Sequence, residues 1–446
     1  MFEWSRKPGT RVLRAPDITA YREQLTAALE TGSGLDDAER VDAITALEDL
    51  VRVATAAQAA LARELDASQR AAQAAAGVPV EVRGRGVAGQ VGLARKESHH
   101  RGQRHLALAK VVPAEMPHLW AAWRQGKVTE HGATHAARET ACLEVEDRLE
   151  IDRLLAADPD TLDTMSARDI ASFCRNHAAR LDPTAAVKRR RRAEEDRCVT
   201  IRPAPDTMVY LTALLPVKDG VACYAALSKT AGTARAEGEA RTKGQVMADT
   251  LVDHVLAGHH ATTGARVDLG LVMTDRSVFG HAEDPALIDG YGSIPAELGR
   301  ELLTDSLAAG EELWLRRLYA SPTTGELVAM DSRARTYPAG LAKFIRLRDQ
   351  VCRTPWCDAP IRHTDHAEAV ADGGQTTAEN GQGLCEACNL AKQAPGWHAR
   401  PSPDDPGTIE TTTPTGHQHR TRPPALVTIH EVDAPPLHID YYVLAT

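Results

Sequence analysis

The sequence predicts a mostly α-helical chain with an α+β continuation, followed by a small C-terminal module built around clustered cysteines. Three observations carry this. Aromatic residues make up only 4% of the 446 residues and hydrophobic residues 43%. The cores must then be built from Leu, Val, Ile and Ala, which favours helix packing over an aromatic-rich β-sandwich. Apolar residues recur at helical spacing from Asp36 onward, and the pattern turns to β-branched alternation at Cys198. Finally, Cys352, Cys357, Cys385 and Cys388 lie close together, whereas Cys142, Cys174, Cys198 and Cys223 are scattered singly.

The length suggests two or three domains, and the punctuation divides the chain into 1–35 (an N-terminal segment), 36–193 (helical), 194–334 (a mixed α/β continuation), 335–400 (the cysteine module) and 401–446 (a Pro/Thr-rich tail). Asp36 with Glu39 forms a capping box, and Val41, Ile44, Leu47, Leu50, Val51, Ala54, Leu61 and Leu65 then follow a helical stripe. Gly77 and Pro79 end that helix. A second helix is expected over 88–112 with Pro113 as its stop, then two helices joined at Gly126. Helices at 145–156, 166–181 and 184–193 complete the domain. "CVTIRPAPDTMVYLTALLP" reads as a strand pair around a Pro-Asp turn. Helices at 219–231 and 239–257, a strand in "VDLGLVMTD", a helix entered through Pro295 and a hairpin in "LWLRRLYASPTTGELVAMD" follow. One further hairpin is expected in the tail.

Net charge is −9 and the isoelectric point about 6.1, so any nucleic-acid contact must come from local patches. No start of the chain combines charge, an apolar run and a cleavage site, and no 18-residue apolar run occurs. The expectation is a soluble cytoplasmic protein without membrane contact. Disulfides are disfavoured in that compartment. Cys352-x4-Cys357 and Cys385-x2-Cys388 therefore read as two knuckles sharing one tetrahedral zinc. Four thiolates leave no open position, so this zinc is structural. It would hold together a module of about 65 residues that is too short for apolar packing alone.

The zinc does not account for Asp365-His366, Gly373-Gly374, Asn380 or Asn389-x2-Lys392, which lie between or beside the knuckles. Their order and spacing over 340–400 resemble the HNH endonuclease module, the ββα-metal fold. Upstream, "GSIPAELGRELL" and "RTKGQVMADTLVDHVLAG" resemble the 13E12-repeat proteins of GC-rich bacteria, in which a helical domain of unknown function precedes a C-terminal HNH module. The resemblance implies DNA as substrate and phosphodiester hydrolysis with His366 as general base. It implies Asp365 and Asn389 as ligands of one catalytic cation, Mg²⁺ or Mn²⁺, and Asn380 as the brace of the loop carrying the base. Many relatives have His where this chain has Asn389; His398 is the alternative ligand. His363, Arg362 and Lys392 are candidate phosphate contacts. Neighbouring strand residues point to opposite faces, so Asp365 and His366 reach one site only where the strand bends or ends.

Two readings follow: a metal-dependent endonuclease, or a non-catalytic zinc-stabilised DNA-binding or regulatory protein whose HNH module has decayed. A third, an interaction protein, predicts no nucleic-acid affinity. One short module per chain makes a homodimer the arrangement for a double-strand cut. Other motifs read blandly. Lys188–Arg192 is followed by Glu194-Glu195-Asp196 and reads as a solvated helix end. "ESHHRGQRH" (97–105) reads as an exposed polar face. His131 and His135 have metal-binding spacing without a Glu between them, which excludes a zincin-type site. Arg346, Arg348, Arg353 and Arg362 are candidates for a one-sided phosphate-binding face.

Overall fold

A computed structural model describes residues 14–30, 34–182, 193–263, 270–279, 282–308 and 337–425. After α1 (Ala15–Glu30), α2 (Asp37–Ala75) begins at the expected capping box. Asp36 accepts the Glu39 amide at 2.9 Å, and the Glu39 carboxylate accepts the Asp36 amide at 2.9 Å. Two first-turn donors that have no partner within the helix are thereby satisfied.

The helix expected over 88–112 is two helices, α3 (Val87–Ala94) and α4 (His99–Glu115). Lys96 ends α3 in the left-handed region at φ 57°, and the Glu97 amide donates to the Gly92 carbonyl at 2.8 Å. This is a Schellman turn made by a lysine where glycine is usual. Ser98 then caps α4 by accepting the Arg101 amide at 3.4 Å. Pro113 lies inside the last turn of α4 instead of stopping it. Near a helix end it removes only one amide bond.

Next come α5 (Pro117–Arg124), α6 (Glu130–Glu139), α7 (Val145–Leu155), α8 (Pro159–Asp163) and α9 (Ala167–Leu181). Their apolar stripes converge on Trp123, Met116, Leu119, Ile151 and Ile170, all fully buried. Buried Asp152 accepts the His118 and Leu119 amides at 2.8 Å and so caps α5 from α7. The expected joint at Gly126 is present, with φ 77°. A Cβ there would lie 3.3 Å from the Asp49 carbonyl oxygen of α2.

The "ESHHRGQRH" stretch is exposed at His100, Arg101, Gln103 and Arg104, as expected, but His99 and His105 turn inward. His105 is half-buried, with Nδ1 2.9 Å from Glu130 and Nε2 2.6 Å from Glu97. Arg95 pairs with Glu130 at 2.9 Å, and Arg101 lies 3.7 Å from Glu97. The hydrogen bond to Glu130 raises the His105 pKa. A group whose folded pKa is raised contributes stability fully below its unfolded value, about 6.5, and loses it as pH climbs through the folded value. Glu130, held low, titrates in a more acidic window. Thermal melts of wild type and His105→Gln should therefore converge as pH rises from 6 to 9. A constant gap would contradict the argument.

The strand pair is β1 (Cys198–Ala204) and β2 (Met208–Leu214), antiparallel about Pro205 to Thr207. Two helices, α10 (Val217–Ala236) and α11 (Lys243–Thr263), pack on each other. A small antiparallel sheet joins β3 (Leu271–Val272), β4 (Ala286–Ile288) and β5 (Gly292–Ile294), alongside α12 (Asp275–Phe279) and α13 (Ala296–Ala308). The Lys188–Arg192 run and the hairpin expected over 313–331 lie outside the described residues. Among the described residues, no helix is long and apolar enough to cross a membrane.

The C-terminal module begins with α14 (Ala339–Asp349). Its hairpin pairs β6 (His363–His366) with β7 (Gly381–Leu384), and α15 (Glu386–Lys392) follows. The tail contains more than one hairpin. It is a three-stranded meander of β8 (His398–Pro401), β9 (Ile409–Thr412) and β10 (Gln418–Thr421), with β9 central.

A buried charge network ties these parts together. Asp349 is flanked by Arg348 at 2.7 Å and Arg353 at 2.9 Å, and it accepts the Gly383 amide of β7 at 2.7 Å. Arg348 also donates to the carbonyls of Ala378 and Gly381, and Arg353 to those of Gly407 and Thr421. These two arginines are structural, which corrects their reading as part of a phosphate-binding face. Breaking such a network by removing one partner costs roughly 3–5 kcal/mol.

The module sits on the helical domain. Trp397, Ala394 and Leu93 form one buried cluster. The Trp397 ring fits against Gly86 and Gly89, where an added Cβ would lie 2.4 Å and 3.3 Å from ring atoms. Thr415 donates to the Gln90 side-chain oxygen at 3.1 Å.

Candidate functional site

The four clustered cysteines are all buried, and their sulfur atoms lie within 4.8 Å of one another. The Cys357 sulfur is 3.9 Å from that of Cys385 and 3.8 Å from that of Cys388. A tetrahedron of Zn–S bonds of 2.3 Å has edges of about 3.8 Å, so the cluster fits a structural zinc. Cys385 is the N-cap of α15 and accepts the Cys388 amide at 3.4 Å. The second knuckle and the start of α15 are thus one piece of structure, and a metal held there sets the position of the helix.

α15 lies against β6. Lys392, one turn beyond Asn389, forms an ion pair with Asp365 and donates to the His366 carbonyl. The pairing register sets Asp365 opposite Gln382 and His366 opposite Gly381. Alternation then assigns Asp365 and Gln382 to the face turned toward α15, together with His363. The side-chain oxygen of Asn389 is buried and has no hydrogen-bond partner, whereas Oδ2 of Asp365 is buried in its ion pair with Lys392. An amide oxygen left this way and a carboxylate are donors that suit a hard divalent cation.

His366 is the last residue of β6. Its ring takes the opposite side, over Tyr337, with ring centroids 4.6 Å apart, and its Nε2 lies 2.9 Å from the Thr376 hydroxyl. Burial lowers its pKa, with nearby Asp365 raising and Lys392 lowering it further. It therefore stands neutral at pH 7. Asn380 braces the loop after β6. Its oxygen accepts the Glu368 amide at 2.8 Å, and its amide group donates to the carbonyls of Glu368 at 3.0 Å and Gln375 at 2.8 Å.

The remaining candidates fall elsewhere. Arg362 and His363 are exposed at the start of β6, and His398 is exposed at the start of β8, in the meander and not on β6 or α15. Lys392 is committed to Asp365 and to the strand end, so here it positions more than it reaches for solvent. His131 and His135 contact each other, with Nε2 atoms 3.2 Å apart, and His135 also contacts Arg138.

Several participants were not singled out from the sequence. Tyr337 and Thr376 hold the His366 ring, and no local spacing links them to it. His99, the first residue of α4, lines a cavity of about 30 Å³ with Gly89, Leu93, Gln382, Lys392 and Trp397. That is room for water. His99 Nδ1, Gln382 Nε2 and Trp397 Nε1 are buried there without partners, and burial lowers the His99 pKa. The helical domain thus reaches to within contact of the helix that carries Asn389 and Lys392.

Comparison with known proteins finds two families along the chain. A family described as a domain of unknown function, DUF222, matches residues 42–349, and the HNH endonuclease family matches residues 350–394. Uncharacterized protein Rv3776 of Mycobacterium tuberculosis (strain H37Rv) is 34% identical over 140 residues, 31% of this chain and 24% of that protein. Uncharacterized protein Rv2100 of the same strain is 31% identical over 145 residues, 32% of this chain and 24% of that protein. The matched stretch spans about a quarter of the length of these relatives. No solved structure matches.

Proposed function

Because this chain belongs to the DUF222 family and carries an HNH endonuclease domain over residues 350–394, we propose that it is a metal-dependent endonuclease that hydrolyses phosphodiester bonds in DNA. The observation that carries the reading is the buried side-chain oxygen of Asn389, without a hydrogen-bond partner, on the helix whose Lys392 pairs with the Asp365 carboxylate, with His366 ending the same strand as Asp365. A divalent cation, Mg²⁺ or Mn²⁺, supplies Lewis-acid stabilisation of the charge developing on the phosphate and leaving oxygen. The protein's own residues do the rest. Asp365 and Asn389 offer the oxygen donors. The Thr376 hydroxyl hydrogen-bonds Nε2 of His366; in the tautomer in which Nε2–H donates to it, Nδ1 is the nitrogen that takes a proton from water. Asn380 holds the loop that sets the imidazole's orientation. Lys392 pairs with Asp365 and ties α15 to the strand end. The zinc holds α15 in place and takes no part in the chemistry.

The test is cleavage of supercoiled plasmid by the zinc-loaded full-length chain with Mg²⁺ or Mn²⁺. Nicking or linearisation is expected, stopped by chelation of the added cation and lost in Asp365→Asn and Asn389→Ala with zinc retained. A zinc-loaded protein that binds DNA but cuts it with neither cation would leave the non-catalytic reading in its place.

A further inference from the structure

The chain is acidic, yet between residues 83 and 110 it has seven Lys or Arg and a single acidic residue, Glu97. This stretch is the α3–α4 corner, the part of the helical domain that seats the C-terminal module. Some of its cations are committed: Arg95 to Glu130, Lys110 to Asp66 and Arg83 to the Val78 carbonyl. Arg85, Lys96, Arg101 and Arg104 are exposed, Arg101 with a loose contact to Glu97 at 3.7 Å. Arg85 adjoins Gly86, which touches Trp397 and Ala394. Lys96 lies between Leu93, which packs on the module, and His99, which shares a cavity with Lys392. Arg101 and Arg104 extend the row along α4.

We propose that the α3–α4 corner is the second half of the DNA-binding surface, its cations gripping the phosphate backbone beside the bond that the module cuts. This rests on the nuclease reading of the module. The module's Arg348 and Arg353 are consumed by the Asp349 network, which leaves Lys343, Arg346 and Arg362 among its exposed cations. The helical domain adds to these from an element packed against the module, next to the helix bearing Asn389 and Lys392. The contact is with backbone, so it is independent of sequence and sensitive to salt. It also gives the helical domain a function: a fixed anchor that sets the module's register on the duplex.

The experiment measures binding of a 30-base-pair duplex by anisotropy over a range of salt, without added divalent cation. It uses zinc-loaded full-length protein, and plasmid cleavage is followed in parallel. Variants are Lys96→Gln/Arg101→Gln/Arg104→Gln, the corresponding triple Glu variant, and Arg235→Glu on α10 as a control, each checked for zinc content and melting temperature. Loss of phosphate contacts should flatten the salt slope by about one unit for each contact removed. At 100 mM salt the Gln variant should bind at least tenfold more weakly and the Glu variant more weakly still, with the control unchanged. Wild-type binding that is matched by both triple variants would overturn this inference and leave the nuclease reading standing. Variants that bind more weakly while no protein cleaves would sink the nuclease reading and keep the DNA surface. A wild type with no affinity for duplex would end both. Faster cleavage by the triple variants would show the corner to be a cover over the site, and would also overturn the proposal.

Discussion

Replacing His366 with alanine should lower plasmid cleavage by about 10²–10⁴-fold, the usual worth of a positioned general base. Zinc content and DNA affinity should stay at wild-type levels. The separation follows from where the ring sits. It lies tilted over Tyr337 and hydrogen-bonds Thr376, on the opposite side of β6 from the cysteine cluster, and it holds none of the four thiols. Removing a ring that is 9% exposed leaves a cavity and costs some stability, which a melting curve will register. His366→Asn separates this cost from the chemistry, because it refills much of the space and still lacks a base near neutral pH. Thr376→Val probes how the ring is held. Without the hydroxyl, Nε2 loses its hydrogen-bond partner, the ring is less firmly held, and the rate should fall by a smaller factor than in His366→Ala. Full activity in zinc-loaded His366→Ala would remove this residue from the reaction and point to another base.

The structure also shows which parts of this arrangement can be read from a sequence. Asp36 and Glu39 announce a helix start because capping is local, and the bonds are present at both ends of the box. The four cysteines and the Asp365-His366, Asn380 and Asn389 order are legible for a related reason: a metal-bearing module of this size leaves little freedom in spacing. The break at Lys96 was hidden because a lysine occupies the left-handed position that glycine normally advertises. Ser98 was the surviving signal, a capping residue inside an apolar run. Arg348 and Arg353 looked like surface cations because composition cannot show that Asp349 waits beneath them. His99 and His105 looked solvated for the same reason. Their carboxylate and indole neighbours come from residues 130 and 397, and only the folded chain brings them near. Local chemistry is written locally, and burial of a polar residue depends on partners far along the chain.

Cys388→Ser, or stripping the metal with a strong chelator, should unfold the C-terminal module and abolish cleavage, while the helical domain stays folded. Apart from the cysteines and a few residues packed on them, the module's buried apolar clusters are small: Leu341, Ile345 and Ala378 on one side, and Trp397 and Ala394 against Leu93 on the other. A structural zinc supplies apparent binding energy of about 10–16 kcal/mol, which exceeds the whole stability of most domains. The Asp349 network does not make up the loss, because its bonds hold α14 to β7 and the meander. Without the metal, Cys385 and Cys388 no longer hold the start of α15, and Asn389 and Lys392 lose their position against β6 together. The helical domain keeps its own core around Trp123, Met116 and Ile151. Limited proteolysis should then cut within 337–425 and spare 36–182, with the far-ultraviolet helix signal largely kept. Zinc stoichiometry should fall from one per chain to well below it in Cys388→Ser. A Cys388→Ser protein that keeps its zinc, resists protease through the module and still cleaves plasmid would show that the four sulfurs are packing residues, and that α15 is held by the hairpin and the helical domain alone.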